Sequence, residues 1–218
     1  MEQVKLNLNN KNQIEEVSKI SSEVLKNKGT IIYPTDTLYG LGANAFDEDA
    51  VLKVYKMKKR DRNKSMPVIA RDIKMARKIA CIDSKVEKML NKIWPGPITI
   101  VLRKKDIIPY LLTGNKETVA IRIPNDEFIS ALMKEIDFPI TATSANISGE
   151  KNLLKPNEII SKFKFGGLKP NLFIDSGEVE NFRPSTIIDL TTRSPKILRV
   201  GIVGVEEIKK FFEKFDIN

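Results

Sequence analysis

The chain has 218 residues, 41% of them hydrophobic, which suits one large domain around a sizeable core better than two small ones. Histidine is absent and Cys81 is the only cysteine, which excludes Ser-His-Asp and Cys-His triads, the HExxH zinc motif, an intramolecular disulfide and any multi-cysteine metal site. A formal charge of +9 points to an anionic partner such as a nucleotide, RNA or DNA.

The first ten residues lack the apolar stretch of a secretory signal, and no apolar run approaches the roughly 20 residues that span a bilayer. A soluble, cytoplasmic protein without a membrane partner is therefore expected. In chain order, Gln13 to Lys28 sets Ile14, Val17, Ile20, Val24 and Leu25 on one helical face, with Gly29 at the C-terminal cap. A strand at Thr30–Tyr33 ends at Pro34, which cannot donate to a ladder. Asp47 reads as the N-cap of a helix to Met57, and its cationic end runs into a basic loop. A strand at Pro67–Ala70 and amphipathic helices at Asp72–Ala80 and Asp83–Ile93 lead to the tight turn Trp94-Pro95-Gly96-Pro97. Within Ile79-Ala80-Cys81-Ile82, the cysteine reads as a small buried hydrophobe.

Strands follow at Ile98–Leu102 and Val119–Ile123, a helix near Asp126–Ile136, and a strand at Pro139–Thr143. A looser stretch, Gly149–Pro156, precedes a helix at Asn157–Phe163. Strands at Asn171–Ile174, Thr186–Leu190 and Lys196–Val200 and a helix at Val205–Phe215 complete the pattern. Strands come in pairs as well as alternating with helices, so the fold class is α/β with a mixed twisted sheet flanked by helices.

Four segments could carry chemistry. The loop Pro34-Thr35-Asp36-Thr37-Leu38-Tyr39-Gly40-Leu41-Gly42 reads first as a turn in which Asp36 bonds its own backbone. It also offers two hydroxyls, a carboxylate and bare backbone to a small ligand. Between Lys53 and Lys64 there are seven cations (Lys53, Lys56, Lys58, Lys59, Arg60, Arg62, Lys64) against one carboxylate, Asp61, either a solvated surface or a phosphate cradle. Thr141 to Gly149 is dense in small hydrogen-bonding groups, as an ordinary turn or a nucleotide site would be. Arg122 sits in an apolar strand, where it must meet an anion or face water at an edge. Without histidine, this inventory suits phosphoryl or nucleotidyl transfer, in which the protein positions reactants and stabilises charge.

Together and in this order, YPTDTLYGLGANAF, KMKKRDRNKSMPV, WPGPITIVL, VAIRIP, PITATSANISG, PSTIIDL and ILRVG resemble the successive motifs of the YrdC family, the threonylcarbamoyl-AMP synthases. The resemblance implies a YrdC-like fold with a basic concave face, in the short form that makes residues 1–218 a single YrdC-like domain. It implies condensation of L-threonine, bicarbonate and ATP to threonylcarbamoyl-AMP with release of pyrophosphate, for threonylcarbamoyladenosine modification of tRNA. Carried over by motif, Thr37, Arg122, Ala142 and Ser185 would bind L-threonine, and Lys58 and Arg60 would be catalytic. Arg60, Lys64, Thr118, Ser144, Asn146, Asn152 and Arg199 would bind ATP. Mg2+ would enter with ATP, with no metal ligands of the protein's own. Contact with tRNA or double-stranded RNA, and hand-off of the product to a threonylcarbamoyl-transferase complex, are further expectations. A basic module that binds double-stranded RNA or tRNA without catalysis is the alternative. A carbamoyl-phosphate-using maturation factor is another, although the chain lacks the cysteine-rich and acylphosphatase-like parts of such proteins.

Overall fold

The computed structural model describes residues 1–164, 167–179 and 183–215. Five of its helices begin where a short polar side chain takes up a free amide. Asn10, Asp47, Asp72, Asp83 and Asp126 each accept from the backbone N–H three residues on. These caps open α1 (Lys11–Lys26), α2 (Glu48–Met57), α3 (Ile73–Ile79), α4 (Ser84–Ile93) and α6 (Glu127–Lys134). The remaining helices are α5 (Tyr110–Thr113), α7 (Pro156–Lys164) and α8 (Val205–Glu213).

The strands divide into two mixed sheets rather than the one expected. The first runs β1 (Glu2–Lys5), β9 (Leu172–Asp175), β2 (Thr30–Tyr33), β3 (Gly40–Ala43), β8 (Thr143–Ser144). The second runs β11 (Lys196–Arg199), β10 (Thr186–Asp189), β5 (Ile98–Arg103), β6 (Thr118–Arg122), β4 (Val68–Ile69), β7 (Ile140–Thr141). The segment Pro139–Ser144 belongs to both. β7 pairs with β4, β8 pairs with β3, and Ala142 between them donates its N–H to Pro67 O at 2.8 Å. The two sheets therefore diverge from a common seam at Ala142, which opens a concave angle between them.

Three elements differ from the sequence reading. Gly40–Ala43, of which Gly40 to Gly42 were read as loop, is a fully buried strand antiparallel to β2. The Tyr33 ring explains its glycines: a Cβ on Gly40 would lie 2.6 Å from Tyr33 Cζ, and one on Gly42 2.7 Å from Cε1. Polar β1 and the single turn α5 were not foreseen. Cys81 is exposed, not buried, because the chain is extended there and turns Ala80 and Ile82 inward instead. Among the described residues no helix is long and apolar enough to cross a membrane.

Candidate active site

Strand alternation puts one residue set of the second sheet in the core and the other into the concave angle. Ile98, Ile100 and Leu102 of β5, Val119 and Ile121 of β6, and Ile188 of β10 are buried core. Thr99, Val101, Ala120, Arg122 and Ile187 face a cavity of about 380 Å³. The register agrees, since Val101 lies opposite Ala120 and Ile187 opposite Thr99. Tyr33, Thr35 and Thr37 to Gly40 also line it, as do Ser144 and Asn152. Among the described residues Arg60, Arg122 and Arg199 are the only charged ones in the lining, which makes it cationic.

Arg122 is 7% exposed and lies on an interior strand, not at an edge. Its Nε donates to Gly96 O (3.0 Å), Nη1 to Thr37 Oγ1 (3.1 Å) and Nη2 to Asp36 Oδ2 (2.6 Å). The Trp94–Pro97 turn and the Thr35–Leu38 turn thus clamp one guanidinium from two sides. The second turn is held by Thr35, whose hydroxyl accepts from Thr37 N and Leu38 N, both at 3.1 Å. Asp36 sends its carboxylate to Arg122, a partner 86 residues away. Burial pushes the Asp36 pKa up, and Arg122 opposes that rise. Beside them Asp126 is pushed up to about 6, chiefly by burial, with the Asp36 charge adding to it.

Arg60 and Arg199 have no carboxylate within ion-pair distance among the described residues. Arg60 Nε and Nη2 donate to Lys64 O (3.2 Å) and Ser65 O (2.8 Å). Arg199 Nε and Nη2 donate to Ser185 O (3.0 and 2.9 Å), and Nη2 also reaches Ser185 Oγ (3.0 Å), which meets Thr99 Oγ1 at 2.9 Å. Carbonyl oxygens orient these two guanidiniums without neutralising them.

Lys58 is 1% exposed. Its ammonium donates to Ser144 O, to Asn146 O (2.8 Å) and to Asn146 Oδ1 (3.0 Å), and Ser144 Oγ also donates to Asn146 Oδ1 (2.7 Å). Burial, with Arg60 adding, pushes the Lys58 pKa down to about 7. Three acceptors match the three N–H groups of the charged amine, so Lys58 ties the end of α2 to the Ser144–Asn146 turn.

Of the residues singled out from sequence, Thr37, Arg60, Arg122, Ala142, Ser144, Asn152, Ser185 and Arg199 line one cavity. Lys58, Lys64, Thr118 and Asn146 lie outside that lining. Lys58 and Asn146 are buried behind it, Lys64 is exposed, and Thr118 is half-buried at the far end of β6 from Arg122. Sequence reasoning missed Asp36 as the partner of Arg122, Gly96 as its acceptor and Tyr33 as a wall. The carboxylate of the Pro34–Thr37 loop was the one available signal for the first.

The model of the Sua5, YciO and YrdC family, described as telomere recombination, matches residues 23–201. The chain belongs to the Sua5/YciO/YrdC family. A threonylcarbamoyl-AMP synthase of Pyrococcus abyssi is 34% identical over 213 residues, which are 97% of this chain and 62% of that protein. A Methanocaldococcus jannaschii relative is 34% identical over 203 residues, covering 93% of this chain and 94% of its own length. The crystal structure of Pyrococcus abyssi Sua5 complexed with L-threonine superposes with a TM-score of 0.86 at 33% identity, over 96% of this chain and 60% of that one. The chain thus spans less than two thirds of the Pyrococcus abyssi relative.

Proposed function

We propose that this member of the Sua5/YciO/YrdC family is an L-threonylcarbamoyladenylate synthase. It would join L-threonine, bicarbonate and ATP into threonylcarbamoyl-AMP and release pyrophosphate. The observation that carries this reading is the charge layout of the cavity. One ion-paired guanidinium on the Asp36–Thr37 side suits a single carboxylate, and two unpaired ones, Arg60 and Arg199, suit a polyphosphate. The names of the Pyrococcus abyssi relative and of its L-threonine complex support the substrate assignment.

In this reading Arg122, Thr37, Ser185 and the Ala142 backbone receive threonine. Arg60, Ser144, Asn152 and Arg199 receive the nucleotide, with Lys64 and Thr118 reaching it from the rim. Lys58 and Asn146 hold the Ser144 turn from behind. Bicarbonate takes up a proton and loses water to give carbon dioxide; the neutral threonine amine forms an N–C bond to it and releases a proton to water, giving a carbamate. A carbamate oxygen then bonds to the α-phosphorus as the bond to the β-phosphate oxygen breaks, and pyrophosphate leaves. Both steps need proximity and charge stabilisation more than a strong side-chain base, in keeping with a chain that has no histidine. Among the described residues the lining offers hydroxyls, an amide and guanidiniums but no carboxylate, so Mg2+ would be held by the phosphates it arrives with. The product would pass, in the cytoplasm, to the transferase that modifies tRNA.

Mass spectrometry of the product made with isotopically labelled bicarbonate tests the proposal. Label in a threonine–AMP adduct supports it, whereas an unlabelled threonyl-AMP, or AMP alone, contradicts it.

A further inference from the structure

A guanidinium has five N–H groups, and this chain uses three of those on Arg122, to Gly96 O, Thr37 Oγ1 and Asp36 Oδ2. One N–H on each terminal nitrogen is left for a ligand. Where those two point depends on what fixes the plane. The Gly96 carbonyl holds the Nε end, and the Asp36 carboxylate, at 2.6 Å, is among the described residues the only charged group bonded to the other end. Asp36 is absent from the cavity lining, whereas its partner Arg122 is part of it, so its effect passes through the guanidinium. It sits in the turn whose Thr37 and Leu38 amides donate to the Thr35 hydroxyl.

Arg60 and Arg199 share the cavity with Arg122, and a third unpaired cation there would draw phosphate as readily as a carboxylate. With Asp36 attached, the Arg122 pair is close to neutral. It can still place two N–H groups on a carboxylate, but it has little net attraction for a polyanion.

We propose that Asp36 is a positioning and specificity-determining residue of the amino-acid subsite: it aims the two remaining N–H groups of Arg122 and reserves them for a zwitterionic substrate against phosphate. The inference rests on the assignment of the amino-acid carboxylate to Arg122.

Calorimetric titration of the full chain with L-threonine, with and without pyrophosphate, tests it. In Asp36→Ala, threonine affinity falls about tenfold to a hundredfold, the loss expected for one charge-assisted hydrogen bond. Pyrophosphate, weakly competitive against threonine in the parent, becomes an effective competitor. Asp36→Asn keeps an oxygen on Arg122, so it recovers much of the threonine affinity but not the resistance to pyrophosphate. In an Arg122→Ala background, Asp36→Ala has no further effect on either ligand, because its route is gone. A purely structural role for Asp36 would lower the melting temperature and leave the pyrophosphate competition unmoved, and that result overturns the proposal. So does threonine affinity within twofold of the parent in Asp36→Ala. If the parent itself fails to bind threonine, the subsite assignment fails first, an outcome read separately from the Asp36 comparison.

Discussion

Gly40→Ala is predicted to damage stability and ligand binding together, through one side chain. The new Cβ would stand 2.6 Å from Tyr33 Cζ and 2.9 Å from both Cε1 and Oη, so the ring must retreat by roughly 1 Å to reach ordinary contact. Tyr33 is fully buried and donates to Thr141 O at 3.0 Å, so retreat strains the packing and breaks that bond. Overpacking costs about 1–3 kcal/mol and the hydroxyl bond about 1 kcal/mol. The sum, about 2–4 kcal/mol, lowers the melting temperature of a chain this size by about 4–16 °C. The space open to the ring is the cavity it lines, so ligand affinity falls as well. Thermal melts of Gly40→Ala in the parent and in a Tyr33→Leu background check the cause, since the shorter side chain should absorb most of the penalty. An unchanged melting temperature, or the same penalty in both backgrounds, would refute the ring as the reason for the glycine.

The other predictions concern charge. Lys58→Met leaves Ser144 O, Asn146 O and Asn146 Oδ1 without their donor and should cost about 2–3 kcal/mol in chemical denaturation; Lys58→Arg should not restore it, because a planar fork cannot replace a three-way ammonium contact. Arg60→Ala should raise the KM for ATP, and Arg122→Ala that for threonine, each by about tenfold to a hundredfold; steady-state kinetics showing the reverse pairing would contradict the assignment. For Asp126, whose pKa rises from 3.8 to about 6 on folding, the folded state binds the extra proton between those values. Its stabilising contribution is thus complete below pH 4 and is lost as pH rises through 6. Asp126→Asn keeps the helix cap and removes that slope, and denaturation midpoints from pH 4 to 7 that remain as steep as the parent's would contradict the cause.

What the sequence revealed and what it hid follow from the range of the forces involved. Asp47, Asp72, Asp83 and Asp126 were visible as helix starts because capping acts within three residues. Thr30–Tyr33 was visible because branched and aromatic residues meet a proline stop. Gly40–Ala43 was hidden because its warrant is a ring that packs across from the neighbouring strand. Cys81 was misplaced because apolar neighbours were taken to share its environment, whereas an extended backbone sends successive side chains to opposite sides. At the site, motif order brought together Thr37, Arg60, Arg122, Ser144, Ser185 and Arg199, which line one cavity. The pairing of Asp36 with Arg122 and the burial of Lys58 are long-range contacts, and neither spacing nor composition encodes them.

The central claim is that one cavity couples threonine to the α-phosphate of ATP. The most direct test is pyrophosphate release by the purified chain with ATP, magnesium and bicarbonate, measured with and without L-threonine. Release that depends on threonine is the predicted result, and equal release in its presence and absence would contradict the account.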